Sequence, residues 1–327
     1  MQQNQPIIEE RNLRSRDEII KMLLIPALFV AILIIASIVT KGLFLDVGNL
    51  LNVTERASIV GIIAIGMTVV LLTGGIDLSV GAVMCMGYSM QATLVVAGLG
   101  QLPSIILSLA ICFGLGAING ILVAKTGLPP FMITLGTMMI ITALSLYIAR
   151  GSALEYSGLQ DFINSIGFGT LGSRLLPTVT WLALTFLLYL IFIRTKMGLI
   201  VTAIGANKKA ALLSGIKSEK TIVIVYGVCG LFSGIAAIVL AYRLGVLNAH
   251  SSDTFLLESI AAVVIGGTSI MGGEGSILRT LFGAVIIAML VNLMNLLMID
   301  TYLQFAVRGV ILILIVAVVQ RLSRHGT

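Results

Sequence analysis

Residues 57–81 have the sequence ASIVGIIAIGMTVVLLTGGIDLSVG, and this stretch decides the fold class. Its first part, residues 57–73, is an apolar run long enough to cross a hydrocarbon core roughly 30 Å thick as a helix. The run ends at a Gly-rich segment, residues 74–81, which contains the acidic Asp77, and a second apolar run begins at Val80. Long apolar runs joined by short irregular segments are typical of helical membrane proteins.

The composition of the whole chain agrees with this class. Of 327 residues, 58% are hydrophobic and 10% are charged, whereas soluble domains contain about 25% charged residues. Disordered chains are poor in apolar residues, so they are excluded as well. The three cysteines, Cys85, Cys112 and Cys229, lie inside apolar runs without a C-x-x-C pair, which indicates neither a disulfide framework nor a zinc site.

Ten apolar runs are predicted to span the membrane. The predicted fold is therefore all-α, a polytopic bundle of about ten transmembrane helices, some of them interrupted. It comprises a tail at residues 1–21, a single membrane domain at 22–320 with a loop at 194–221, and a tail at 321–327. The ten runs are residues 22–40, 57–73, 80–97, 104–124, 131–149, 178–193, 222–242, 254–265, 281–299 and 302–319.

The distribution of basic residues predicts the orientation. With a cytoplasmic N-terminus, fourteen of the 20 lysines and arginines lie on the cytoplasmic side and five outside, and Arg308 lies in the last span. The positive-inside rule requires such an excess, so both termini are predicted to be cytoplasmic. Because orientation explains the net charge of +6, no nucleic-acid partner is expected.

Polar and Gly-rich segments interrupt the apolar runs in both halves of the chain, at residues 66–68, 74–81 and 266–276. Interrupted spans in both halves are typical of a transport pathway, because irregular backbone in a membrane must be buried in protein or line a wet cavity. The alternative is that the last two segments are turns on the cytoplasmic side, and both interpretations stay open. The candidate pathway residues are Thr68, Asp77, Ser79, Asn119, Thr268 and Ser269.

Two of these candidates also have a structural interpretation. Asp77 is placed to cap the helix that follows it. Asn119 lies within the motif Gly116-x-x-x-Gly120, which together with Gly230-x-x-x-Gly234 predicts close helix packing, and it is suited to an interhelical hydrogen bond.

The remaining ionisable residues predict no catalytic chemistry. Arg308 either extends to the membrane surface or pairs with Asp300. No paired catalytic residues and no metal-ligand set are recognisable, so we expect neither an enzyme nor a metal site. The chain contains no G-x-x-x-x-G-K-[ST] motif, so an ATPase, if one is involved, is a separate polypeptide.

The loop at residues 194–221 is predicted to contain a short helix. Asn207 is suited to cap a helix that begins at Lys208, and Gly215 is suited to end it. A helix of two turns rarely forms alone, so it must dock on something. Two interpretations stay open: a surface helix on lipid headgroups, or a coupling element in the groove of a partner protein.

Several short stretches of the sequence together form a recognisable pattern. They are AIGMT (64–68), GIDLSVG (75–81), NGILVA (119–124), AIGAN (203–207) followed by AALLSGI (210–216), and VIGGTS (264–269) followed by GGEG (272–275). In these stretches the chain resembles the permease subunits of bacterial sugar ABC importers, the ribose-permease-like family. Two positions depart from the family pattern, Ala206 and Arg279, where members usually or often have Gly.

The resemblance implies a bacterial inner-membrane protein that works with partners. These are a cytoplasmic ABC ATPase that uses ATP and Mg²⁺, a periplasmic or lipid-anchored binding protein, a second permease copy in a homodimer or related heterodimer, and membrane lipid. The chain itself would hold no cofactor. The residues that the resemblance assigns to ATPase coupling are Gly205, Asn207, Ala210, Ala211, Ser214 and Gly215.

The leading hypothesis is that the chain forms the translocation pathway for a monosaccharide, a ribose-like pentose or a hexose. The resemblance leaves autoinducer-2 or a nucleoside as alternative solutes. A stand-alone secondary transporter is a further alternative, but it requires ion ligands at the membrane midplane, and carboxylates are scarce in the predicted spans.

Overall fold

The computed structural model describes residues 25–150, 154–155, 158–165, 170–244, 246–247, 252–310 and 313. The predicted tails at residues 1–21 and 321–327 lie outside these ranges, as does most of the last predicted span. The elements in chain order are α1 (Ile25–Val39), a 3-10 helix (Leu43–Leu45), α2 (Val47–Leu72), α3 (Val80–Val96), α4 (Gln101–Thr126), α5 (Pro130–Ile148), β1 (Leu154–Glu155), α6 (Gly158–Ser165), α7 (Thr170–Arg194), α8 (Met197–Ala206), α9 (Lys208–Leu213), α10 (Ser218–Leu244), β2 (Val246–Leu247), α11 (Ser252–Ile265), α12 (Ile277–Leu296) and α13 (residues 301–310).

The prediction of a polytopic helical membrane protein is confirmed. Within the described part of the chain, six helices are long and apolar enough to cross a membrane, namely α2, α4, α5, α7, α10 and α12. The other predicted spans fall on the shorter helices α1, α3, α11 and α13. The two short strands, β1 and β2, form an antiparallel pair with Leu154 opposite Leu247, and they are the only departure from the all-α prediction among the described residues.

Helix α2 occupies the centre of the bundle. In an apolar 18-residue stretch of α2, 94% of the residues are buried. In the corresponding stretches of the other helices the buried share is 28% for α4 and 22% for both α5 and α7. Helices α7, α10, α11 and α12 all contact α2. The chain therefore surrounds α2 with protein on all sides, while α4, α5 and α7 leave apolar faces uncovered.

The start of α2 lies ten residues before the predicted boundary at residue 57. The Oδ2 atom of Asp46 caps the helix, because it accepts hydrogen bonds from the backbone nitrogens of Gly48 at 2.9 Å and Asn49 at 3.4 Å. The polar pair Glu55 and Arg56, which precedes the predicted span, lies inside the helix. Both side chains have charged partners on neighbouring helices, which explains why they do not end α2.

Glu55 joins three helices through one carboxylate. Its Oε1 atom accepts a hydrogen bond from Nε of Arg174 on α7, and its Oε2 atom accepts one from Nε of Arg243 on α10, both at 3.1 Å. Arg174 also donates to Oδ1 of Asn52 at 2.9 Å. We call this end of the bundle the arginine-rich end; it carries Arg56, Arg174, Arg243 and Arg308.

Glu258 on α11 makes a second ionic contact at the same end. Its Oε1 atom lies 2.6 Å from Nη2 of Arg56 and 3.3 Å from Nη1 of Arg308, and its side chain is 2% exposed. The predicted pairing of Arg308 with Asp300 was therefore wrong, because its ionic partner is Glu258. Asp300 instead accepts a hydrogen bond from the backbone nitrogen of Tyr302 at 2.8 Å. One buried carboxylate thus connects α2, α11 and α13.

Helices α4 and α10 pack closely along their glycine motifs, as predicted. A Cβ atom at Gly116 would overlap the carbonyl oxygen of Tyr226, and one at Gly230 would overlap that of Cys112. A Cβ atom at Gly116 would also lie 3.1 Å from Cα of Gly230. The missing side chains let the two backbones approach to a distance that no larger residue permits.

Candidate functional site

Three segments meet at the end of the bundle opposite the arginine-rich end. The backbone nitrogen of Gly273 donates a hydrogen bond of 3.0 Å to the carbonyl oxygen of Leu72, which joins the second Gly-rich segment to the end of α2. Gly205, near the end of α8, packs against both, since a Cβ atom there would overlap the Leu72 oxygen and the Gly273 nitrogen. We call Leu72, Gly205 and Gly273 the glycine junction.

The helix predicted after Asn207 is present as α9, and its two ends are formed as expected. The Oδ1 atom of Asn207 accepts a hydrogen bond from the backbone nitrogen of Ala210 at 3.0 Å, as an N-cap does. Gly215 follows the helix with a left-handed φ of 81°. The Ile216 nitrogen donates to the Ala211 carbonyl at 3.1 Å, so the helix ends in a Schellman motif. Helix α8, which precedes α9, was not predicted.

Helix α9 buries one small residue and exposes two large apolar ones. Ala211 is 5% exposed, whereas Leu212 is 65% and Leu213 is 89% exposed. The predicted coupling residues Asn207, Ala210, Ser214 and Gly215 are exposed as well. The sequence analysis did not include the two leucines among the coupling residues, although two adjacent leucines in a short polar loop are a signal for docking.

Three of the predicted pathway residues form one hydrogen-bonded chain. The Oδ1 atom of Asp77 accepts from the backbone nitrogen of Ser79 at 2.9 Å and from its hydroxyl at 2.6 Å. Nδ2 of Asn119 in turn donates to the Ser79 hydroxyl at 2.8 Å. The interhelical hydrogen bond predicted for Asn119 is thus observed, whereas Asp77 binds the N–H of Ser79, the residue before α3, and not an N–H inside the helix.

A residue that the sequence analysis missed fixes the same segment from the other side. The hydroxyl of Thr134 on α5, which is fully buried, accepts a hydrogen bond from the backbone nitrogen of Leu78 at 3.1 Å. It also lies 3.1 Å from the carbonyl oxygen of Ile76, to which it is placed to donate. No sequence signal identifies this role, because a threonine in a helix commonly bonds only to its own helix backbone.

The remaining three predicted pathway residues are not part of this hydrogen-bonded chain. The hydroxyls of Thr68 and Thr280 lie 2.9 Å apart, which joins α2 to α12. Thr268 is fully buried, and its hydroxyl has no hydrogen-bond partner among the described residues. The Ser269 hydroxyl accepts from the backbone nitrogen of Met271 at 3.2 Å and holds the turn. The structure therefore brings together Asp77, Ser79 and Asn119, but not all six candidates.

The burial of these groups limits what they do in this conformation. Thr68, Ser79, Asn119 and Thr268 are 0% exposed, and Asp77 is 1% exposed. Their hydroxyl, amide and carboxylate groups are therefore not accessible to a solute in this conformation. Among the described residues there is no cluster of three or more metal-ligating side chains.

Comparisons with known proteins give a consistent result. A family model described as branched-chain amino acid transport system / permease component matches residues 49–316. The ribose import permease protein RbsC of Bacillus subtilis (strain 168) is 37% identical over 291 residues, 89% of this chain and 90% of that protein. RbsC of Escherichia coli (strain K12) is 35% identical over 294 residues, covering 88% and 91%. The D-allose transport system permease protein AlsC of the same strain is 34% identical over 282 residues, covering 86% of each. No solved structure matches the chain significantly.

Proposed function

Because the chain belongs to the family of branched-chain amino acid transport system permease components, we propose that it forms the translocation pathway of an ATP-driven importer for a monosaccharide. It is a multi-pass protein of the bacterial inner membrane and a transport subunit rather than an enzyme. The observation that carries the choice of solute is the similarity to ribose and allose permeases over 86% or more of this chain. A ribose-like pentose or a hexose is the proposed solute.

The proposed partners follow from the surfaces that the chain leaves uncovered. A separate ABC ATPase binds ATP and Mg²⁺ and docks on α9. There Leu212 and Leu213 expose apolar side chains to water, so their burial against the ATPase is favourable. A periplasmic or lipid-anchored binding protein delivers the solute at the arginine-rich end. A second permease copy, identical or related, completes the pathway, and the uncovered faces of α4, α5 and α7 contact lipid or this copy.

We propose that a movement of α9 is transmitted through the glycine junction to the hydrogen-bonded residues Asp77, Ser79 and Asn119. Helix α9 follows α8 directly, and Gly205 of α8 contacts Leu72, the last residue of α2. Leu72 in turn precedes the segment that holds Asp77 and Ser79. Since these contacts involve backbone atoms packed without space between them, a displacement of α8 must shift that segment or break the packing.

Reconstitution tests the proposed function. The chain is placed in liposomes with its partner ATPase, the binding protein is added outside, and uptake of labelled ribose, allose and leucine is measured. We expect sugar uptake that requires ATP, Mg²⁺ and the binding protein, and no leucine uptake. Leucine uptake would overturn the solute class. Sugar uptake by the chain alone without ATP would instead identify a stand-alone secondary transporter.

A further inference from the structure

Two adjoining grooves lie between the end of α4 and the start of α10. One has a volume of about 330 Å³ and includes Lys125, Lys220 and the apolar Ile121 and Ile224 in its lining. The other has a volume of about 420 Å³ and is lined in part by Lys208, Lys217 and Lys220, and at one side by Leu212 of α9. Because the two share Ala124, Glu219 and Lys220, we treat them as one site, the lysine groove.

The charge of the lysine groove is strongly positive. Four lysines line it against one carboxylate, that of Glu219. Within the part of the chain that the structure describes, none of these lysines forms an ion pair, since all the ion pairs there involve arginine. The groove also lies at the N-terminus of α10, a helix of 27 residues whose first N–H groups carry partial positive charge. The site therefore attracts an anion.

The wall beside the charges is apolar and faces away from the bundle. Ile121 is 40% exposed and Ile224 is 46% exposed, and only 28% of the apolar window of α4 is buried. A free inorganic anion would satisfy the lysines but would leave both isoleucines uncovered. An amphiphile with an anionic headgroup and apolar chains covers both parts of the site, and basic pockets between transmembrane helices are known binding sites for anionic lipid headgroups.

We infer that the lysine groove binds an anionic phospholipid of the adjoining leaflet. Its phosphate lies against Lys125 of α4 and Lys220 of α10, and its acyl chains lie along Ile121 and Ile224. The bound lipid thereby bridges the ends of two helices whose glycine motifs pack together. This inference goes beyond the proposed transport function and takes from it only that the chain is embedded in a membrane.

Native mass spectrometry of the delipidated full chain tests the inference. The chain is titrated with phosphatidylglycerol, with phosphatidylcholine of the same acyl chains, and with inorganic phosphate. We expect retention of one phosphatidylglycerol in preference to phosphatidylcholine, and no effect of inorganic phosphate at the same concentration. A surface lysine contributes about 1 kcal/mol to anionic lipid binding, so Lys125→Gln and Lys220→Gln should each weaken binding about fivefold and the double variant about 25-fold.

A matched control is Lys196→Gln, which removes a lysine from the loop before α8 without changing the lysine groove. It should bind phosphatidylglycerol as the unmodified chain does, and all variants should show unchanged thermal unfolding in lipid-free detergent. Equal retention of phosphatidylcholine, undiminished binding by the double variant, or an equal loss with Lys196→Gln would overturn the inference. So would displacement of the lipid from Lys125 and Lys220 by an ATPase docked on Leu212 and Leu213, since that result would assign these two lysines to a protein contact.

Discussion

The backbone nitrogen of Gly273 donates a 3.0 Å hydrogen bond to the carbonyl oxygen of Leu72, across about two hundred residues of sequence. This bond brings the two Gly-rich segments of the chain to one place, and Gly205 packs directly against it. The predicted pathway segment and the predicted coupling segment are therefore in contact. Within one subunit, the segment that we propose docks on the ATPase is thus linked to the segment that holds Asp77 and Ser79.

Gly205→Val should disrupt the glycine junction. The added side chain meets backbone atoms of Leu72 and Gly273, which have little freedom to move, so we expect a loss of about 1 to 3 kcal/mol in the free energy of unfolding. Thermal unfolding in detergent and sugar uptake measure the effect. The matched control is Gly136→Val on α5, where nothing lies within 4 Å of an added Cβ atom. Equal stability of the two variants would contradict the close packing at Gly205.

Gly116→Leu should separate α4 from α10. A side chain at this position collides with the carbonyl oxygen of Tyr226, whereas a Cβ atom at Gly114 on the same helix has nothing within 4 Å. We expect Gly116→Leu to be destabilised by about 1 to 3 kcal/mol relative to Gly114→Leu. The measurement is the difference in thermal unfolding between the two variants. Equal stability would contradict the close packing of α4 against α10 at Gly116.

Leu213→Asp should abolish ATPase binding while leaving the fold intact. Leu213 is 89% exposed, so a substitution there should change the stability by no more than about 0.5 kcal/mol. A charge in the middle of an apolar contact should nevertheless prevent docking. Co-purification of the ATPase with the chain measures this, with Leu213→Met as the conservative control. Normal ATPase binding by Leu213→Asp would remove α9 from the interface.

Glu258→Gln should destabilise the arginine-rich end. The substitution leaves Arg56 and Arg308 without their buried carboxylate, for which we expect a cost of about 3 kcal/mol. The double variant Glu258→Gln/Arg308→Gln removes one of the two unpaired cations, so it should be more stable than the single variant Glu258→Gln. Unfolding of the unmodified chain, the two single variants Glu258→Gln and Arg308→Gln, and the double variant completes a double-mutant cycle and gives the coupling energy. Strict additivity of the two substitutions would contradict direct pairing.

Ser79→Cys tests whether the hydrogen-bonded residues Asp77, Ser79 and Asn119 lie on the translocation pathway. Ser79 is 0% exposed, so a cysteine there should be protected from a water-soluble thiol reagent in the resting chain. We expect it to react when the ATPase, ATP and solute are present. The unmodified chain is the control, since its three cysteines are buried. Protection of Ser79→Cys under all conditions would exclude this position from the pathway.

The features predicted correctly from the sequence are local ones. The length of an apolar run determines whether a helix spans the membrane, so all six long helices coincide with predicted spans. The ends of α9 depend on Asn207 and Gly215, which act within one helical turn. Helix α8 was not predicted, because its apolar run of ten residues is too short to span the membrane.

The contacts that the sequence analysis missed join residues far apart in the chain. Thr68 and Thr280 are separated by 212 positions, and Thr134 contacts a segment 56 positions away. Helices that are apolar on all sides have no polar face to indicate which neighbour they pack against, so their arrangement is not evident from hydropathy. The pairing of Arg308 with Glu258, rather than Asp300, was missed for the same reason.

The central position of α2 has a consequence for the order of assembly during synthesis. This helix leaves the ribosome early, yet its polar partners arrive late: Arg243 lies 188 positions after Glu55, Glu258 lies 202 positions after Arg56, and Asn292 lies 243 positions after Asn49. Until α10, α11 and α12 have been inserted, these polar groups must remain hydrated near the membrane surface, because burial without partners is costly. The final packing of α2 is therefore a late event, completed only when nearly the whole chain has been translated.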